Sequence, residues 1–570
     1  MRTMVAGASG IDLALLVVAA DDAVMPQTRE HLDILDLLGV RRGVVALTKI
    51  DIVDEETAAL AAEDVRELLA GSGLAGAPIC PVSSVTGAGL DELKRALLSA
   101  AEGVPEKPRG GPFRMTIDRV FTVAGRGTVV TGSVLRGTVR EGDVVEVLPA
   151  GHTCRVRGLQ SHGKEAVELE GGRRAALNLS GVERDSLARG MELAAPGYLT
   201  PTRMIDAEVV YLSSNARPLP AGRTVRLEIG TRELRVRIVF HGDKELSPGG
   251  RAFARLRSGE PFTAAYGQRF ILRDETATRT LGGGVVLRPV VPRRRSGADE
   301  ADRLRTLRDG DPAERVAEVL RLWRFDPPQT PALCAQAGVE PEAVPEILAS
   351  LKQRRRYVPI GDNGTFVVPQ ACEEVRERMV RWMRRFHEIH PDQPGKPVDS
   401  VVGYLDRLTG RNLGRALFED FERQGVIRRR ERFVSLKEFS PSLSAADQRL
   451  LSEMVEEIRR GGFQPPLLDA LSIKERADRK RWERLASLAV ASGELVPIAP
   501  KLYLHRDWEA RLRQQVAELI RSEGGVTVAQ VREALQSSRK YVVPFLEYLD
   551  RIGWTKRSGD LRYLAGAAEG

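Results

Sequence analysis

Apolar positions follow three different rhythms along the chain. Over residues 1–108, short apolar runs alternate with helical periods. Residues 13–20 and Gly43–Thr48 are continuous apolar runs of strand length, the pattern of parallel strands covered on both faces. Between them, residues 28–38 place Leu32, Leu35 and Leu38 at helical spacing behind Thr28, a residue type that caps helices. Residues 57–69 and 90–101 carry the same helical period, and 78–82 reads as a third short strand. An α/β layer is expected here. It ends at Pro105, Pro108, Gly110 and Gly111, which mark a linker.

Over residues 112–292 the period drops to two. Gly125, Gly127, Gly132, Gly137 and Gly142 separate short runs such as Thr128-Val129-Val130-Thr131. Thr224–Ile229 and 234–240 are further alternating runs. Short strands at regular spacing with turn residues between them predict β-barrels. The length suits two, at 112–197 and 200–292, with a break near residues 196–202.

Residues 300–570 return to helical periods, and they repeat. Four units each end in an amphipathic helix, a turn and two short strands, at 347–366, 417–433, 485–503 and 545–563. Their closing aromatics, Phe366, Phe433, Tyr503 and Tyr563, are 67, 70 and 60 residues apart. A helix followed by a two-stranded wing predicts winged-helix domains in tandem, at 300–370, 371–437, 438–505 and 506–570. The fold class is therefore multidomain α/β, then β, then α.

Composition narrows the setting. The chain has 570 residues with 42% hydrophobic positions, enough for several cores. No window approaches the ~20 apolar residues of a membrane span, and no signal peptide is recognisable. Cys80, Cys154, Cys334 and Cys372 are too scattered for a disulfide framework or a zinc site, as expected of a cytoplasmic protein. The net charge of +8 is uneven. Residues 1–108 hold 9 Lys and Arg against 17 Asp and Glu, a net of −8, leaving +16 for the remainder. Such a remainder suits a polyanionic partner, and it equally suits the Arg-rich surfaces that accompany high-GC coding sequence.

The strongest chemical signal is Thr48-Lys49-Ile50-Asp51 at the end of a strand, with Ser83-Ser84-Val85 after the next strand, 32 residues beyond Asp51. An Asp carboxylate can accept from guanine N1–H and the exocyclic amine together, a donor pair that adenine lacks. A Lys stem can lie along the base, and the Ser-Ser-Val loop can offer N–H groups to the guanine O6. Ligands of open α/β sheets bind outside the carboxyl ends of strands, where both segments fall.

These segments resemble the second half of a translational GTPase domain. Residues 19–31, Ala-Ala-Asp-Asp-Ala-Val-Met-Pro-Gln-Thr-Arg-Glu-His, are similar to the stretch after switch II in the elongation factor Tu group. Gly125-Arg126-Gly127-Thr128-Val129-Val130-Thr131-Gly132 resembles its second domain. The nearest resemblance is to the selenocysteine-specific elongation factor (SelB) family. It rests on Ile117-Asp118-Arg119-Val120-Phe121, on Arg269-Phe270-Ile271-Leu272-Arg273 with Thr280-Leu281-Gly282-Gly283-Gly284, and on the four winged-helix units. Ala23 departs from the glycine usual in that family. A larger departure is that the 570 residues contain no G-x-x-x-x-G-K-[ST] loop, no DxxGH segment and no switch I threonine. In the family these precede the residues matching 1–12. The expectation is a truncated or mis-started form of a full-length factor, or else a variant without hydrolysis. Whether the chain is a GTPase enzyme stays open on that point.

The resemblance implies GTP as cofactor, with Mg²⁺ in full-length members. It implies a guanine site at Thr48, Lys49, Asp51, Ser83, Ser84 and Val85, and no catalytic residue in this chain. It implies a selenocysteinyl pocket at Arg119 and Arg174, with Asp118 orienting Arg119. A selenolate is an anion where serine is neutral, so guanidinium groups can separate the two. The last unit would bind RNA through Arg539, Lys540 and Tyr541 at a helix start and Lys556, Arg557 and Arg562 in the wing. Residues 539–562 hold six basic and three acidic side chains. Tyr541 and Trp554 could instead be core, as Phe545, Leu546 and Leu549 should be. The implied partners are selenocysteinyl-tRNA, an mRNA hairpin and the ribosome, for a cytoplasmic monomer that meets no membrane. The competing function is a hydrolysis-incompetent RNA adaptor or a winged-helix DNA regulator, which would not need two barrels with an Arg pocket.

Overall fold

The computed structural model describes residues 10–104, 110–123, 127–291, 299–360, 365–391, 393–440, 443, 445–474 and 479–565. The start of the segment matching residues 1–12, the linker prolines Pro105 and Pro108, and Gly125 and Arg126 of the barrel motif lie outside them. Two compact units form, one of Met1–Val358 with Val367–Pro369 and one of Pro359–Phe366 with Gln370–Gly570. Among the described residues, no helix is long and apolar enough to cross a membrane.

The first unit opens with three parallel strands, β1 (Ala14–Ala19), β2 (Gly43–Thr48) and β3 (Ile79–Pro81), in the order β1-β2-β3. Helices α1 (Pro26–Leu38), α2 (Glu55–Ala70) and α3 (Leu90–Glu102) alternate with them. The helix expected to be capped by Thr28 begins two residues earlier. Pro26 occupies its first turn and Met25 its cap position, without a side-chain cap bond. Proline has no N–H to satisfy and its fixed φ suits a first turn, so no hydroxyl cap is required. Asp54 does cap α2, accepting from the Thr57 N–H. Ala23 adopts φ +51°, the left-handed region that a glycine enters without strain.

The first barrel is a ring of six antiparallel strands: β4 (Arg114–Val123), β5 (Gly127–Arg136), β6 (Val144–Leu148), β7 (His152–Ser161), β8 (Arg174–Ser180) and β9 (Glu192–Ala194). Their order is β8-β5-β4-β9-β6-β7, closed by pairing of β7 with β8. Alternate residues such as Met115, Ile117, Val130, Val147, Leu177 and Leu193 fill its core. The second closed barrel runs β10 (Thr202–Tyr211), β11 (Thr224–Ile229), β12 (Arg232–Phe240), β13 (Arg251–Phe262), β14 (Arg269–Arg273) and β15 (Thr280–Arg288). Gly282, Gly283 and Gly284 lie in β15 because Cβ atoms there would sit 2.1, 2.4 and 2.0 Å from the carbonyl oxygens of Val210, Phe270 and Glu208. The bare backbone also lets α1 press close, with Ile34 and Leu37 packed on Ile271.

Each helical repeat has its wing. In the first, the helix Val344–Gln353 precedes strands Val358–Ile360 and Thr365–Val367. In the second, Gly414–Arg423 precedes Ile427–Arg430 and Phe433–Leu436. In the third, Arg479–Ser492 precedes Leu495–Ala499 and Leu502–His505. In the last, Arg539–Arg551 precedes Thr555–Ser558 and Leu561–Leu564. The last two repeats share one core, where Phe463, Ile498, Leu502 and Leu504 pack with Val542, Phe545, Leu546 and Leu549.

Candidate functional site

The carboxyl ends of β1, β2 and β3 are stitched together by backbone. Ala20 N–H donates to Thr48 O at 2.9 Å, Val82 N–H to Leu47 O at 2.8 Å, and Ile50 N–H to Val82 O at 3.5 Å. The Thr48 hydroxyl donates to Val18 O. This places Lys49, at φ +61°, on the rim. Its Nζ donates to both carboxylate oxygens of Asp21, at 2.7 and 3.0 Å, with Asp22 at 3.9 Å. The bond between them lowers the Asp21 pKa and raises that of Lys49. Asp51 is exposed beside them, as are Ser84 and Val85 on the neighbouring strand end. Ser83 is fully buried, and its Oγ accepts from the Val85 and Thr86 N–H groups at 3.2 and 3.1 Å. The loop is thus pre-folded by its own serine, and the Val85 N–H expected to face a base is engaged by that hydroxyl. An open carboxylate and an exposed loop on adjacent strand ends fit the edge of a planar base. Asp21, the partner of Lys49, was not among the expected site residues. Its place just past β1 was the signal available.

On the first barrel, the register shifts between Ile117 and Arg119, so Asp118 is an extra residue in the β4–β5 ladder. The bulge leaves Asp118 able to accept from the Thr131 hydroxyl at 2.8 Å and from Arg174 Nη2 at 2.6 Å. Asp118 therefore orients Arg174, on β8, rather than the adjacent Arg119 as sequence proximity suggested. Arg119 is exposed opposite Thr131 and has no ion-pair partner among the described residues. Asp118 thus joins Thr131 and Arg174 across three adjacent strands, and the exposed Arg119 follows it on β4. Thr131, which holds the second oxygen of Asp118, lies in the barrel motif at 125–132 but was not among the expected site residues.

The last repeat divides its basic residues. Arg539, Lys540, Lys556 and Arg557 are exposed. Lys540 Nζ lies 5.4 Å from the Tyr541 ring, which is half-buried against the core. Arg562 corrects the expectation of an RNA contact: it is 3% exposed and its Nε donates to Asp550 at 2.9 Å. Strand alternation turns residue 562 inward, between the exposed Leu561 and Tyr563. Phe545, Leu546 and Leu549 are fully buried, while Trp554 is partly exposed beneath Arg513.

A parallel sheet with residues 48–51 and 83–85 at its strand ends, followed by two closed barrels, is the arrangement of elongation factor Tu-like proteins. Residues 1–102 match the elongation factor Tu GTP binding domain, and residues 127–194 match elongation factor Tu domain 2. Residues 206–293 match the beta-barrel domain of the selenocysteine-specific elongation factor, and residues 518–564 match the winged helix of elongation factor SelB. The selenocysteine-specific elongation factor of Desulfomicrobium baculatum is 32% identical over 565 residues, covering 99% of this chain and 89% of that protein. That of Escherichia coli (strain K12) is 29% identical over 571 residues, covering 100% and 89%. The solved structure of a bacterial selenocysteine-specific elongation factor EF-Sec shares the fold, with TM-score 0.64 at 24% identity over 99% of this chain and 88% of that one. The chain belongs to the selenocysteine-specific elongation factor family.

Proposed function

We propose that this protein binds GTP and selenocysteinyl-tRNA and carries the tRNA to ribosomes halted at UGA codons that an mRNA hairpin marks. The observation that carries this reading is the Asp118–Arg174 pair beside Arg119, set in a chain related along its whole length to selenocysteine-specific factors. Arg174, held by Asp118, presents a fixed guanidinium to an anion, and Arg119 adds a second. A selenolate meets both, and a seryl hydroxyl meets neither as an ion.

At the sheet edge, Asp51 accepts from the guanine N1–H and amine, and Lys49 covers the base. Ser83 holds the loop that carries Ser84 and Val85. GTP, with Mg²⁺ at its phosphates, would supply the switch between tRNA-binding and releasing states. The described residues fit its base. Arg539, Lys540, Lys556 and Arg557 contact the hairpin stem, with Tyr541 alongside, and so raise the local concentration of the factor at the right codon. The protein works in the cytoplasm as a monomer.

The test is GTP-dependent binding of one tRNA in selenocysteinyl and seryl forms to the full chain, by filter retention. The selenocysteinyl form should bind more tightly. Equal binding of the two would contradict the reading.

A further inference from the structure

The second helical repeat, not the last, is the most basic of the four. Residues 371–437 hold 15 Lys and Arg against 11 Asp and Glu, a net of +4. Residues 506–570 hold 11 against 9, a net of +2, while 438–505 balance at 10 each and 300–370 hold 10 against 11. The candidate hairpin site absorbs the charge of the last repeat, but nothing yet absorbs that of the second.

The helix Pro369–Ile389 carries five of these cations against four acids, and three of the cations share one face. Ala371, Val375, Met379 and Met383 bury the opposite stripe. Arg378, Arg381 and Arg385 stand at i, i+3 and i+7, where side chains are neighbours, and all three are exposed. None of them pairs with an acid among the described residues. Arginines four apart repel each other, so an intervening anion would be favourable. Among them sits Trp382, whose ring stacks on Tyr404 at 4.2 Å and 10°. Lys396 Nζ lies 4.5 Å from the Trp382 ring, and the Arg407 guanidinium 5.9 Å from that of Tyr404. The aromatic pair is held rigid, and cations surround it.

We infer that this face is a second RNA-binding surface, one that takes a phosphodiester backbone through Arg378, Arg381, Arg385 and Arg407 independently of the hairpin site in the last repeat. Three cations in a row one helical face long match a run of phosphates rather than a single anion. The choice of RNA among polyanions rests on the proposed function. The location and charge of the surface do not.

Labelled mixed-sequence RNA duplex is titrated with the full chain and with the R378Q/R381Q/R385Q variant at several salt concentrations. Each lost phosphate contact should lower the slope of log affinity against log salt by roughly 0.9, so the triple change should lower it by about 2 to 3 and weaken binding at low salt by about 10- to 50-fold. R407Q, on the neighbouring helix, should lower the slope by roughly one contact's worth. Far-ultraviolet circular dichroism establishes that the variants are folded. Hairpin binding, lost in an R539Q/K540Q variant, should stay within about twofold in the triple variant, which separates this surface from the proposed function. Unchanged slope and affinity in both variants would overturn the inference. So would wild-type binding to anionic phospholipid vesicles without binding to duplex RNA.

Discussion

Arg174 and Arg562 are each a basic residue in a short strand, paired with an acid remote in sequence, yet burial gives them opposite work. Arg174 is half-exposed on the barrel with its carboxylate partner behind it. Arg562 is enclosed, and Asp550 holds both it and the Thr555 hydroxyl. Truncating Arg562 to Gln should therefore destabilise the last repeat by about 1.5–3 kcal/mol, the worth of a charge-assisted bond. Arg557→Gln should stay within about 0.5 kcal/mol, as surface changes do. Paired thermal melts check both. His387 makes a second residue-scale prediction. It is buried, accepts from the Leu436 N–H through Nε2 and stacks on Phe439 at 3.6 Å. Burial, helped by the nearby charge of Lys396, pushes its pKa down to about 4. The neutral form is thus required in the fold, while the unfolded chain protonates at its ordinary value of about 6.5. Stability supplied by neutral His387 is full above about pH 6.5 and falls as the pH drops toward 4, by up to roughly 3 kcal/mol. His387→Phe should flatten that slope in pH-dependent melts of the second unit; an unchanged slope would assign the acid sensitivity elsewhere.

Among the elements, a buried ion pair within the first barrel also reaches the second. Arg114 donates to both oxygens of Glu192, at 2.7 and 2.9 Å, and to Gln268 of the second barrel at 2.7 Å. Glu192→Ala strands the guanidinium without its partner and should destabilise the barrels by about 3–5 kcal/mol. Calorimetry of the variant, with the barrels melting earlier, checks this. Strand periods were readable in the sequence: Gly43–Thr48 and Thr224–Ile229 are strands with the limits that their apolar pattern indicates. Helix starts were less so. The helix starts at Pro26 and not behind the hydroxyl of Thr28, because proline needs no cap. Lys49, Asp51, Asp118, Arg119 and Arg174 stand in motifs visible in the sequence, but the pairings among these residues and their neighbours are not visible there. Asp21 meets Lys49 only because parallel strands end side by side, and Asp118 reaches Arg174 only because a bulge turns it. A pairing between separate strands leaves no local pattern.

For the whole molecule, the shared core of the last two repeats limits what a deletion can show. Removing residues from about 506 would strip Phe463, Ile498 and Leu504 of their cover. The charge changes at Arg539 and Lys540 leave that core intact, so they are the sharper route to separating hairpin from tRNA binding. They should weaken the hairpin by at least about tenfold while tRNA affinity stays within about twofold. The central claim is that the barrel pocket selects its cargo by charge. The direct measurement is a pair of dissociation constants, for the selenocysteinyl and seryl forms of one tRNA with GTP present, in wild type, Arg174→Ala and Arg119→Ala. Losing one charge-assisted contact to an anion should weaken the selenocysteinyl form by about 10- to 150-fold and leave the seryl form nearly unchanged, so the two affinities converge. If both variants keep the wild-type ratio, the Asp118–Arg174 cluster is an ordinary surface ion pair and the account of selectivity is wrong.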